Sequence, residues 1–206
     1  MNRKQQQVMH IHGGSAFDTY EQYIENLKKW SYKIDSSDRL QRWSWNYYNF
    51  LNPDTYLVIQ PEMPSKQNAK YLEWKIWFEK SFEFLEDGII LVGHSLGGIF
   101  LAKYLSENSF PFTITQLHLV APVYSHENDD EQLADFRLAK FPGTLLEKEI
   151  PEIHIYHSKD DTIVPFEESE KYHKHIPNSQ LHVFEGRGHF LGEEFPELFN
   201  NIIGKE

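Results

Sequence analysis

Four consecutive apolar residues, Ile89-Ile-Leu-Val92, run directly into Gly93-His-Ser-Leu-Gly97, and a helical pattern opens at Leu96. A strand with no polar alternation has no face to give to water. It belongs inside a sheet covered on both sides, as parallel sheets are. The rest of the chain supplies the elements such a sheet needs. Short apolar runs read as strands at residues 8–12, 55–59, 115–120, 153–157 and 181–184. Segments with helical spacing lie between them. One follows Asp18 and carries Tyr20, Tyr23, Ile24 and Leu27; another spans 69–85, with Leu72, Ile76, Trp77 and Phe84 among its apolar positions. Further helices are expected at 96–106, 131–140, 166–175 and 193–203. Asp18, with Glu21 three residues on, is the expected cap of the first helix. Strands alternating with helices build βαβ units. The predicted fold is α/β: one domain over residues 1–206, with a mostly parallel six-stranded sheet in the order 2-1-3-4-5-6 and helices on both faces.

Two stretches break this rhythm. Residues 31–54 crowd Trp43, Trp45, Tyr47, Tyr48 and Phe50 together, and residues 124–130 are acidic and polar. A long segment without its own element in a compact domain is a functional loop, or it holds a helix the pattern hides. Residues 31–54 read as an aromatic-rich insertion and candidate lid, with Trp43, Trp45 and Tyr48 as candidate substrate-binding residues. The alternative is a satellite hydrophobic cluster under a long loop.

Composition narrows the function classes. The chain has 206 residues and no cysteine, which excludes disulfide scaffolds, thiol catalysis and cysteine-ligated metals. With 20 basic and 31 acidic residues its net charge is −11, the wrong sign for nucleic acid or an anionic membrane as partner. No apolar leader precedes residue 8 and no apolar run is long enough to span a bilayer, so a cytoplasmic protein is expected.

The sequence Gly93-His94-Ser95-Leu96-Gly97 is a G-x-S-x-G pattern in the strand–turn–helix setting of a nucleophile elbow. Side chains two residues either side of the serine would collide across so sharp a turn, and glycine removes the clash. A serine hydroxyl needs a base, and the base needs a carboxylate to orient it. In this architecture the chain order is serine, carboxylate, histidine. His189 follows the last strand in a glycine-bearing loop, Gly186-Arg187-Gly188, whereas His182 lies within the strand. The carboxylate should follow the preceding strand, where Asp160 and Asp161 compete; Asp161 precedes Thr162-Ile163-Val164-Pro165 and is preferred, with Asp160 bracing the loop. Both also suit an Asx turn at a strand end. An oxyanion needs two backbone donors. Leu96 N–H follows the nucleophile, and Gly14 N–H, with Ser15 as second choice, sits in the Gly13-Gly14 loop after the first strand. In the order 2-1-3-4-5-6 the switch point falls between strands 1 and 3, which is where these loops meet.

At these residues the chain resembles the α/β-hydrolase superfamily, and within it the small single-domain serine hydrolases of the YdeN-like, retinoblastoma-binding-protein type. The matching pieces are His12-Gly13, Gly-His-Ser-Leu-Gly at 93–97, Lys159-Asp160-Asp161 with Val164-Pro165, and Gly188-His189-Phe190. The resemblance implies a Ser95–His189–Asp161 triad, no cofactor, and cleavage of an ester, thioester or amide in a small acyl substrate. A retinoblastoma-binding L-x-C-x-E motif cannot exist without cysteine, so no such partner is inferred.

Two other readings compete. His10-x-His12 and His173-x-His175 have spacing open to metal ligation, but no H-E-x-x-H pattern accompanies them. A hydrolase fold kept only as a binding protein is the non-enzyme alternative. The sequence gives neither the oligomeric state nor the acyl preference.

Overall fold

A computed structural model describes residues 4–30, 45–124, 133–138, 143–192 and 194–205. Six strands form one parallel sheet: β1 Gln6–Ile11, β2 Tyr56–Ile59, β3 Ile89–His94, β4 Ile114–Val120, β5 Glu152–Ser158 and β6 Gln180–Phe184. Their order is β2-β1-β3-β4-β5-β6, as the sequence predicts. Register pairs Val8 with Ile90 and Ile11 with Gly93, so β1 and β3 end level with each other. All six residues of β3 are buried, which accounts for its unbroken apolar run.

One face of the sheet is covered by α2 (Tyr71–Lys80), α3 (Leu96–Glu107), α4 (Gly143–Glu149) and α5 (Phe166–His175), through Trp74, Phe78, Phe100, Leu146 and Tyr172. Helix α3 is buried along nearly its whole length, from Leu96 to Leu105, and is apolar there except for Lys103. The other face is covered by α6 (Pro196–Ile203) and by the segment from Trp45 to Leu51, which holds a short 3-10 turn at Tyr47–Asn49. Trp45 stacks on His10 at 4.9 Å, and Phe50 stacks on Phe199 at 4.6 Å. The aromatic crowding in this stretch therefore supplies cover where a helix would otherwise lie.

Several local expectations are corrected. Helix α1 spans Tyr20–Lys29 and is capped by Thr19, whose hydroxyl accepts from Gln22 N–H while the Gln22 amide oxygen accepts from Thr19 N–H. Asp18 instead forms a two-point pair with the Arg137 guanidinium at 3.0 and 3.1 Å. No residue of α1 is buried, so its apolar positions are not a core stripe. In α2 the buried stripe is Trp74 and Phe78, while Leu72, Ile76 and Trp77 are exposed. Apolar residues surround much of that helix, so spacing alone does not choose the inward face. Phe84 is also exposed, in a 3-10 turn at Ser81–Phe84. Within the expected helix at 131–140, residues 133–138 form only a 3-10 turn at Ala134–Phe136, and the flanking positions lie outside the described residues. Helix α4 forms at Gly143–Glu149, where the sequence pattern predicts no element.

The face under α6 carries a line of rings, buried at His118, His154 and Tyr156 and half-buried at His182. His118 and His154 stack at 4.8 Å, His154 Nδ1 and His182 Nε2 are hydrogen-bonded at 3.0 Å, and His182 stacks on Tyr156 at 4.6 Å. His118 Nε2–H donates to Gln116 Oε1, which leaves Nδ1 to accept from the Tyr156 hydroxyl at 2.9 Å. Burial pushes His118 and His94 well below 6.5, His10 down to about 3 and His182 down to about 4. The native state keeps these rings neutral, whereas the unfolded chain takes up protons below pH 6.5. The unfolded state then binds more protons, so stability falls as pH falls. Each of the fully buried rings His10, His94 and His118 contributes about 1.4 kcal/mol per pH unit in that window. Thermal melts across pH 7.5 to 4 should show a steep loss of Tm starting near pH 6.5. A flat profile down to pH 5 would contradict the neutral-ring assignment.

Candidate active site

The turn from β3 to α3 places Ser95 at φ 54°, ψ −119°, a conformation that L-residues reach only at a cost of about 1–3 kcal/mol. Its surroundings hold it there: Ser95 N–H donates to Val120 O at 2.9 Å, and Ser95 O accepts from Gly98 N–H at 2.9 Å. The glycines are required by contact. A Cβ on Gly93 would sit 2.7 Å from Gly97 O, and one on Gly97 would run into the carbonyls of Ile11 and His12. This last contact seats the elbow against the end of β1.

The loop after β6 brings His189 to the same edge. Its ring lies 4.8 Å from that of His94, the residue before the serine. His189 Nδ1–H donates to Asp161 Oδ2 at 2.7 Å. Asp161 Oδ1 accepts from Ile163 N–H at 2.8 Å and Val164 N–H at 3.0 Å. Burial would raise this carboxyl, but the His157 and His189 rings and the Val164 amide hold it well below the usual carboxylate range. Asp161 is therefore ionised and keeps a His189 proton on Nδ1. Ser95 and His189 are not hydrogen-bonded to each other; such contacts commonly tighten only with substrate bound.

Asp160 plays a separate part. Its Oδ1 accepts from the Ser158 hydroxyl, from Gly186 N–H at 2.9 Å and from Gly188 N–H at 3.3 Å. Ser158 Oγ accepts from Arg187 N–H at 3.1 Å. His94 Nε2–H donates to His189 O, and Trp45 Nε1–H donates to Phe190 O, each at 2.9 Å. Every residue from Gly186 to Phe190 thus has a backbone group tied to a neighbouring element. Spacing did not flag Ser158 or His94, since a strand end and the variable position of the elbow carry no signature of their own.

The candidate oxyanion donors lie in the loop after β1 and at the start of α3. A Cβ on Gly13 would lie 3.1 Å from Ser95 Cβ, so the loop after β1 passes directly over the serine. His12 Nε2 accepts from Met63 N–H at 2.9 Å, so its Nδ1–H donates to Gly13 O at 2.6 Å. A trans peptide with its carbonyl turned to His12 directs Gly14 N–H away from that ring. Ser15 N–H is already taken by Lys66 O at 2.8 Å, whereas Gly14 N–H and Leu96 N–H find no acceptor among the described residues.

Of the aromatic candidates, Trp43 lies outside the described residues. Trp45 is 4% exposed and packs as a core side chain among His10, His94 and Phe195, and Tyr48 is 61% exposed. A cavity of about 400 Å³ beside Asp161 is lined by Lys159, Thr162, Pro165, Phe166 and Glu167, without Ser95 or His189. Among the described residues no group of three or more histidine or acidic side chains is arranged to hold a metal ion. None of the described helices is long and apolar enough to cross a membrane.

A parallel sheet with a strained serine at the β3–α3 turn and an aspartate-paired histidine after β6 defines an α/β hydrolase. The chain belongs to the serine hydrolase family, whose model matches residues 36–197. Solved structures share the fold. The ydeN gene product of Bacillus subtilis aligns with a TM-score of 0.71 at 19% identity, covering 97% of each chain. A bromoperoxidase from Bacillus anthracis aligns at 0.62 and 19% identity, covering 98% of this chain and 93% of its own. An esterase from Exiguobacterium antarcticum aligns at 0.57 and 16% identity, covering 97% and 91%. A comparison with curated proteins finds no match.

The contact between Gly97 and the end of β1 is testable. Gly97→Ala forces backbone apart and should cost about 3 kcal/mol, which in a chain of this size is a Tm loss of roughly 6–12 °C. A melt within 2 °C of wild type would contradict the close approach.

Proposed function

We propose that the protein hydrolyses small acyl substrates, carboxylic esters foremost, through a Ser95–His189–Asp161 triad and an acyl-enzyme. The pairing of His189 with a buried, ionised Asp161 at 2.7 Å carries this reading, because it leaves a basic imidazole nitrogen on the sheet edge that holds the strained serine. In the proposed reaction His189 Nε2 takes the Ser95 proton as Oγ attacks the carbonyl carbon. Leu96 N–H and Gly14 N–H stabilise the resulting oxyanion. The imidazolium returns the proton to the leaving alcohol. Water then enters, His189 takes its proton, and collapse of the second tetrahedral intermediate releases the acid and restores Ser95. Asp161 stabilises the imidazolium without itself accepting the proton. No step calls for a metal or an organic cofactor. Thioesters and amides use the same steps and differ in leaving group.

Intact mass after fluorophosphonate treatment tests the reading, alongside release of p-nitrophenolate from esters of graded acyl length. Wild type should gain one adduct and turn over esters, and Ser95→Ala should gain none. His189→Ala should label slower by a factor of about 10³ or more. An unlabelled, well-folded wild type, or an adduct on Ser95→Ala, would overturn the proposal.

A further inference from the structure

A second imidazole faces the Asp161 carboxylate, and the proposed hydrolysis does not use it. His157 sits near the end of β5 with no solvent exposure. Its Nε2 is 2.9 Å from Val164 O, and a carbonyl oxygen can only accept, so Nε2 carries a proton. Its Nδ1 is 2.6 Å from the hydroxyl of Ser169, a fully buried residue of α5 that donates to it. The Nε2–H that points at Val164 O also faces Asp161 Oδ2, at 3.4 Å. That is the same oxygen to which His189 Nδ1–H donates. Val164 closes the circuit, since its own N–H donates to Asp161 Oδ1.

From this geometry we propose that His157, set in place by Ser169, is a positioning residue of the active site: it fixes the rotation of the Asp161 carboxylate and tempers its basicity toward His189. Two effects follow. With His157 on one side and the Ile163 and Val164 amides on the other, the carboxylate cannot swing away from His189. A donor beside Oδ2 also spreads the carboxylate charge, so the His189 imidazolium is held less tightly than by a bare carboxylate. Among the described residues the other titratable group facing His189 is His94, 4.8 Å away ring to ring, which burial keeps neutral. Neither the position of His157 in a strand nor the Asp-turn sequence after it signals this role. The inference rests on the proposed triad.

The test is the pH dependence of Ser95 labelling by fluorophosphonate in wild type, His157→Phe, His157→Gln and Ser169→Ala. Phenylalanine keeps the ring volume and removes the donor, whereas glutamine carries an N–H where Nε2 lies. His157→Phe should label roughly tenfold slower, with its pH midpoint raised by about half a unit or more. His157→Gln should recover most of both, and Ser169→Ala should shift the midpoint in the same direction by less. A folded His157→Phe with the wild-type midpoint, or Phe and Gln variants that lose rate equally, would overturn the positioning role. If His157→Phe does not fold, side-chain ¹⁵N spectra of the wild-type histidines decide. An Nε2–H tautomer at His157 is expected; an Nδ1–H tautomer would set a lone pair against the carboxylate and overturn the inference. A wild type that takes no label at all would overturn the triad, and those spectra would still test the geometry at His157.

Discussion

The backbone of α3 touches the backbone of β1 where Gly97 meets the carbonyls of Ile11 and His12. This approach fixes the spacing at the switch point of the sheet, where β1 and β3 lie side by side and end level. From it follow the sharpness of the elbow, the left-handed backbone of Ser95 and the passage of the Gly13-Gly14 loop over the serine. With a side chain at Gly97, α3 would have to rise off the sheet, and the nucleophile and the Gly14 amide would part company.

The other half of the site is held by a different device. The loop carrying His189 packs few of its own side chains inward and relies on borrowed hydrogen bonds. Ser158 at the end of β5 and Asp160 in the turn after it secure its first part, and His94 and Trp45 secure its last from the facing side. Phe190, like Ser95, adopts a positive φ, 55°, and its ring is seated between Phe184 and Phe195. Strain at a non-glycine residue persists only where the surroundings over-determine it. Here they do so on both sides of the proposed nucleophile and base. The neutrality of the buried rings matters too: a charged His94 beside His189 would oppose the imidazolium that the proposed chemistry forms.

The sheet was legible because each strand is a short apolar run between turn residues, and because Gly93-x-Ser95-x-Gly97 after Val92 fits a single strand–turn–helix geometry. The candidate residues at 95 and 96 come from the elbow motif, those at 161 and 189 from the chain order serine, carboxylate, histidine and the Ile163-Val164-Pro165 that follows Asp161, and that at 14 from the glycine loop after the first strand. Other features were not legible. In α2, Leu72, Ile76 and Trp77 compete with Trp74 and Phe78 for the inward stripe, and only the position of Phe100 and Tyr104 on α3 decides between them. Trp45 read as a lid residue because it lies outside any strand or helix pattern, although its partners His10 and Phe190 lie far away in sequence. Thr19 rather than Asp18 caps α1 because Asp18 answers to Arg137, more than a hundred residues on. His157 was silent because strand alternation gives a face and not a partner.

The pairing of Asp161 with His189, and not of Asp160, is what the proposed chemistry turns on. Rates of fluorophosphonate labelling of Ser95 in Asp161→Asn and Asp160→Asn, each checked for folding, test it most directly. Asparagine at 161 would stabilise the wrong imidazole tautomer and should slow labelling by about 10³-fold or more. Asparagine at 160 keeps an acceptor oxygen for the loop amides and should stay within about tenfold of wild type. A loss at 160 equal to or greater than the loss at 161 would contradict the assignment of the orienting carboxylate.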